Sequence, residues 1–182
     1  MNIIDTPISG LIVFEPDVFS DNRGYFFESY NQNKYEQNGL NKKFVQDNIS
    51  KSVYGTTRGL HYQVGEFAQG KLCQVLVGKV LDVALDIRFG SPTFGQYFSI
   101  ELSEENKKQF WLPPGFAHGF SVLSDEAIFM YKCTASYSKK DERAILFSDN
   151  DLNIDWQVEN PIVSDKDLVA QKFKEIEKDF IY

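Results

Sequence analysis

The sequence predicts an all-β fold, an antiparallel sandwich or barrel, on three observations. Short apolar and aromatic runs recur along most of the chain. Glycines and prolines punctuate them at Gly78, Gly90-Ser91-Pro92, Gly95 and Pro113-Pro114-Gly115, as turns between strands require. Aromatic residues reach 15%, with 16 Phe and 9 Tyr, and such side chains pack better on pleated surfaces than on helices. A length of 182 residues suffices for one domain with a sizeable core, so a single domain over residues 1–182 is expected.

The elements follow in order. Leu11 to Phe14 reads as an edge strand, stopped by Glu15-Pro16. Asp21-Asn22-Arg23-Gly24 is a turn, and Tyr25 to Tyr30 a second strand. Asn33 to Gly39 reads as a short helix closed by its glycine. Phe44 to Ser50 is strand-like, with Gln46 and Asn48 on one face. Strands are then expected at Gly59–Gln63, Leu72–Val77, Val80–Ile87, Tyr97–Leu102, Phe110–Leu112, Gly119–Leu123 and Ala127–Thr134. The tail changes character. Val169, Phe173, Ile176 and Phe180 are spaced by four, three and four, which predicts a C-terminal helix. Ser164 and Asp167 form a capping-box pattern at its start.

Bulk properties exclude several functions. There are 26 acidic and 19 basic residues, a net charge of −7, whereas nucleic-acid binding needs a basic surface. An anionic ligand would require a local cluster of Arg and Lys. No apolar window approaches a membrane span. The first residues lack a basic region followed by an apolar run, so no signal peptide is expected and the protein reads as cytoplasmic. Cys73 and Cys133 sit in apolar runs and read as buried thiols rather than a disulfide framework.

The chemistry is sought around Thr57-Arg58-Gly59-Leu60-His61-Tyr62-Gln63. His61 could be a metal ligand, a proton-transfer group or a structural residue. Pro113-Pro114-Gly115-Phe116-Ala117-His118 has the Pro-x-Gly-x-x-His form of the second cupin motif. The first cupin motif carries a His-x-His pair, and here Gln63 replaces the second imidazole. Two histidines and an amide make a poor set for iron or zinc, so no metal and no other cofactor is expected. Proton abstraction next to a carbonyl suits a neutral imidazole, given an orienting carboxylate, an oxyanion stabiliser and an acid on the other face. Asp82 and Asp86 share one face of an apolar strand, where carboxylates are costly unless paired. A structural ion pair with Arg88 is the competing reading for either. Lys71, Tyr131, Lys132 and Tyr137 supply donors and acids.

Eight ordered segments then carry a resemblance. They are Asp21-x-Arg23-Gly24-x-Phe26-x-Glu28, Gln46-Asp47-Asn48-x-Ser50, Arg58 to Gln63, Gln69-Gly70-Lys71-Leu72, Asp82 to Arg88, Ser91 to Gly95, Gly115 to Phe120 and Tyr131 to Thr134. Together they resemble the dTDP-4-dehydrorhamnose 3,5-epimerases, a branch of the cupins, over almost the whole chain. The resemblance implies a metal-free cupin jelly roll, a homodimer and a nucleotide-diphosphate-linked 4-keto sugar as substrate. Relatives that act on GDP-linked 4-keto-heptoses leave the nucleotide and sugar open, and a 3,4-ketoisomerase or a non-catalytic sugar-binding cupin remains an alternative. By similarity His61 is the base, oriented by Asp167, Tyr131 the acid and Lys71 the oxyanion stabiliser. His118 and Asp82 would line the sugar pocket. Arg58, Gln46 and Asn48 would hold diphosphate and sugar, with Tyr137 near the base. Arg23, Phe26 and Glu28 would reach the partner subunit's site.

Overall fold

The computed structural model describes residues 1–182. Its thirteen strands are β1 (Asn2–Asp5), β2 (Ile12–Glu15), β3 (Phe19–Asp21), β4 (Gly24–Phe26), β5 (Gln46–Val53), β6 (Thr57–Gln63), β7 (Lys71–Val77), β8 (Lys79–Asp86), β9 (Tyr97–Ser103), β10 (Gln109–Leu112), β11 (Phe116–Val122), β12 (Glu126–Cys133) and β13 (Glu142–Ala144). Two short helices, α1 (Gln32–Gln37) and α2 (Asp165–Leu168), lie outside them. A six-stranded sheet runs β1-β2-β10-β7-β12-β5, and a five-stranded sheet runs β13-β6-β11-β8-β9. All their pairings are antiparallel. β3 and β4 form a separate hairpin.

The strand periodicity explains the layers. On β8, Val80 and Ala84 enter the cluster between the sheets, while Leu81, Val83 and Leu85 enter a second cluster on the outer side. That strand reads as a nearly continuous apolar run because both its faces are covered. The central cluster takes Val13, Val75, Phe110 and Phe129 from one sheet and Val80, Phe116, Phe120 and Val122 from the other. Each such side chain contributes about 1.5–3 kcal/mol relative to exposure. Residues 28–44 cover part of the six-stranded sheet's outer face, where Phe14, Tyr35, Leu40, Leu72 and Trp111 pack together. α1 starts at Asn31, whose side chain accepts from the Lys34 N–H, and ends at Gly39 with φ +92°.

The tail differs from the expectation. Instead of one helix, it makes a single helical turn, α2, and a 3₁₀ turn at Phe173–Glu175. Val169 is 82% exposed, but Phe173, Ile176 and Phe180 do pack on the outer cluster. Their spacing reflects docking of an extended strap. Its backbone finds partners in Ile145 opposite Gln171 and Phe89 opposite Ile181, so it needs no helical ladder. The strand expected over Tyr25–Tyr30 ends at Phe26. Beyond it, the Ser29 carbonyl accepts from the Tyr35 hydroxyl and the Gln109 amide.

Candidate active site

Sheet register builds the site row by row. On the five-stranded sheet β6 and β11 pair so that His61 faces His118. On the six-stranded sheet Cys133 stands opposite Lys71, and Tyr131 lies between Cys73 and Asn48. These rows face one another across a cavity of about 630 Å³, a volume suited to a small-molecule ligand. His61, Asp167, Lys71, Tyr131, His118, Arg58 and Asn48 all line it. Glycines permit the close approach of β6 and β11. A Cβ on Gly59 would lie 2.5 Å from the Gly119 Cα, next to the register shift between His118 and Phe120.

His61 Nε2 lies 2.7 Å from Asp167 Oδ1, which leaves Nδ1 without a partner in the chain. Asp167 makes the contacts of both arrangements, the helix cap and the pairing with His61. Its backbone N–H donates to the Ser164 hydroxyl, completing the helix cap, while its buried carboxylate meets His61. Burial pushes the Asp167 carboxyl up, but the bonds from His61, Ser164 and the Gly59 N–H outweigh it and hold the group below the usual carboxylate range.

The opposite wall is apolar enough to perturb its donors. Lys71 is buried, and its only hydrogen bond is to the His61 carbonyl at 3.4 Å. Burial lowers its pKa from the ordinary 10.5. Burial likewise pushes Tyr131 up to about 12, so its phenol stays protonated across the neutral range. The cavity therefore places an imidazole on one wall, a protonated phenol on the other, and an ammonium without a carboxylate partner beside them.

Asp82 sits behind His118, 2.6 Å from its Nε2. Burial lowers the His118 pKa, against the opposing pull of Asp82. Asp86, on the same strand face, takes the structural role instead. It accepts from Arg88, Ser91 and Thr93 at 2.6–2.9 Å. Lys132 points away from the cavity and pairs with Asp47 at 2.9 Å. Gln63 is committed to the loops, donating to the Phe67 and Ser136 carbonyls and accepting from the Ser138 N–H. Gln46 links Asn48 to the Tyr137 N–H; Asn48 lines the cavity, whereas Gln46 and Tyr137 do not. Tyr137 approaches His61 only through Glu142, to whose carboxylate it donates.

Arg23, Phe26 and Glu28 do not line the cavity of their own chain. Arg23 and Phe26 stand on the exposed hairpin, Arg23 paired with Asp21, and Glu28 accepts from Asn31. Sequence reasoning assigned no role to four residues that the structure brings to the site or beside it. Lys166 lines the cavity and donates to Glu142 at 2.9 Å, and Ile162 and Val163 close one side. Lys166 adjoins Asp167 and could have been found from it; Glu142 and Ile162 lie outside every motif.

Comparison with known proteins places the chain in a family. The family model described as dTDP-4-dehydrorhamnose 3,5-epimerase matches residues 5–175. A dTDP-4-dehydrorhamnose 3,5-epimerase of Shigella flexneri is 57% identical over 174 residues, 95% of this chain and 96% of that one. The crystal structure of a dTDP-6-deoxy-D-glucose-3,5-epimerase of Legionella pneumophila, in complex with dTDP-4-keto-L-rhamnose, superposes with a TM-score of 0.96 at 49% identity, covering 100% and 98% of the two chains. A 3'-monoepimerase of Streptomyces bikiniensis in complex with dTDP-quinovose is 31% identical with a TM-score of 0.87, covering 93% and 86%. The chain is thus an all-β cupin and an isomerase, and it belongs to the dTDP-4-dehydrorhamnose 3,5-epimerase family.

Proposed function

We propose that this enzyme epimerises a dTDP-linked 4-keto-6-deoxy sugar at C3 and C5, and that His61, Asp167, Tyr131 and Lys71 carry the chemistry. The observation behind this reading is the convergence of the His61–Asp167 pair and Tyr131 from opposite sheets on one cavity. Both carbons flank the C4 ketone, which acidifies their C–H bonds. His61 Nδ1 takes the proton, and the C–H electrons move into the enolate with charge on O4. The Lys71 ammonium stabilises that oxyanion. Tyr131 returns a proton to the opposite face, and the stereocentre is inverted. Asp167 holds the imidazole ring and stabilises the imidazolium that forms.

The same reading gives Arg58, Gln46 and Asn48 the diphosphate and sugar, with His118, Asp82 and Tyr137 around the sugar. Residues 1–182 act as one domain, two copies form a homodimer, and Arg23, Phe26 and Glu28 complete the partner's site. Exposure supports the dimer: Phe19 and Phe26 are each 66% exposed on a hairpin that joins neither main sheet. The two free thiols fit a cytoplasmic, reducing compartment. Incubation with dTDP- and GDP-linked 4-keto sugars in deuterated water, followed by NMR, tests the proposal. Deuterium at C3 and C5 of a dTDP-linked substrate is expected. Absence of exchange would overturn it, and a 3-keto product would indicate a ketoisomerase.

A further inference from the structure

Behind the cavity wall stands a group that the epimerisation does not use in full. Cys73 Sγ, a carboxylate oxygen of Asp82 and a ring nitrogen of His118 all lie within 4.8 Å of one another, and all three residues are buried. His118 Nε2 is 3.7 Å from Cys73 Sγ and 2.6 Å from Asp82 Oδ1. The second oxygen, Asp82 Oδ2, is buried with no hydrogen-bond partner, although Asp82 is wholly inaccessible. A buried carboxylate oxygen left unpaired is unusual and marks spare acceptor capacity.

We propose that Cys73, Asp82 and His118 form a site for a soft divalent cation, zinc or cadmium, and that occupancy inhibits the enzyme. Thiolate, imidazole and carboxylate are the donor types that zinc takes, and three protein ligands leave a fourth position for water. Zinc–sulfur and zinc–nitrogen bonds at a tetrahedral angle place S and N about 3.6 Å apart. The Cys73–His118 separation already matches this. The His118–Asp82 contact must open by about 0.8 Å to reach tetrahedral spacing, and the idle Oδ2 gives the carboxylate a second atom with which to bind.

Binding converts the Cys73 thiol to a thiolate, whose proton leaves to solvent. Nothing is oxidised or reduced. A cation there draws His118 away from Asp82 and repels the Lys71 ammonium in the adjoining row, so the cavity loses the charge that faces O4. Magnesium is a hard cation that prefers oxygen ligands and gains little from this donor set.

The test uses the full chain freed of metal by a chelator. Cadmium added to wild type is expected to produce a thiolate-to-cadmium charge-transfer band in the ultraviolet at one equivalent, and to abolish sugar-nucleotide exchange until chelator is added. Magnesium should do neither. Cys73→Val should keep its exchange activity, lose the band, and raise the inhibitory cadmium concentration by at least about tenfold, since even loss of a supporting partner costs roughly 10–100-fold in metal affinity. Cys133→Val should keep both band and inhibition. A band absent from wild type, or one that persists in Cys73→Val and vanishes in Cys133→Val, would overturn the proposal. The band is read without substrate, so its outcome is independent of whether the epimerase reading holds.

Discussion

His61 and Asp167 are separated by 106 residues in sequence, yet they meet at 2.7 Å. Asp167 reaches the imidazole because the segment before α2 is stitched onto the start of β6: the Thr57 N–H donates to the Ile162 carbonyl, and the Ile162 N–H to Gly55. Asp167→Asn should leave the cavity intact but lower kcat by roughly 10³–10⁴-fold, the scale seen when a dyad carboxylate is neutralised elsewhere. His61→Asn should abolish deuterium exchange and retain substrate binding by calorimetry. Full activity in either variant would remove that residue from the proposed role.

Tyr131 and His61 face each other from different sheets, so abstraction and inversion should be separable. Tyr131→Phe is expected to exchange substrate protons for deuterium through His61 while forming inverted product about 10²–10⁴-fold more slowly. NMR of the recovered substrate distinguishes the two events. Loss of exchange and inversion in equal measure would contradict a separate acid.

The alkaline limb of kcat/KM should belong to Lys71. Burial lowers its pKa below 10.5 while raising Tyr131 to about 12, so the ammonium loses its proton first as pH rises. Lys71→Arg, which stays protonated, should move that limb to higher pH even if the maximal rate falls. An unmoved limb would assign it to another group.

Acid stability should fall in two stages. Burial lowers the His118 pKa from 6.5, so below that value the unfolded chain binds more protons than the folded one and stability drops as pH falls. Asp86 and Asp167 are depressed in the folded state; their contribution is present above the ordinary 3.8 and is lost as pH falls through their folded values. His118→Asn should flatten the first stage of a melting-temperature profile and leave the second.

Glu142 ties three parts of the rim together, accepting from Tyr137 and Lys166 while standing opposite Gln63 on β6. Lys166→Met should cost no more than about 1 kcal/mol of stability, the usual scale of an exposed pair. It should nevertheless slow turnover by about tenfold, because small misplacements near reacting groups are costly. Thermal melts and kcat measured on the same sample check both halves.

The sheets were largely legible because strands are short apolar runs bounded by turn residues, as along β8, or alternate in burial, as along β5 where Gln46 and Asn48 share a face. His61, Lys71, Tyr131 and Asp167 were legible through motifs. The tail helix was not, because a three-four spacing of apolar residues records which side is buried and not how the backbone gets there. β13 was missed because its three residues are half-buried and show no alternation. Glu142 was missed with it, and Cys73, read only as a core thiol, gave no sign of its neighbours across the sheets.

The proposed base and acid ride on different sheets, so the packed layer between them behaves as a caliper. Its jaws are His61 and Tyr131, and its setting is the thickness of the stack formed by Phe120 and Phe129. A methylene removed at Phe129, which does not line the cavity, changes the reach across which a proton must be delivered.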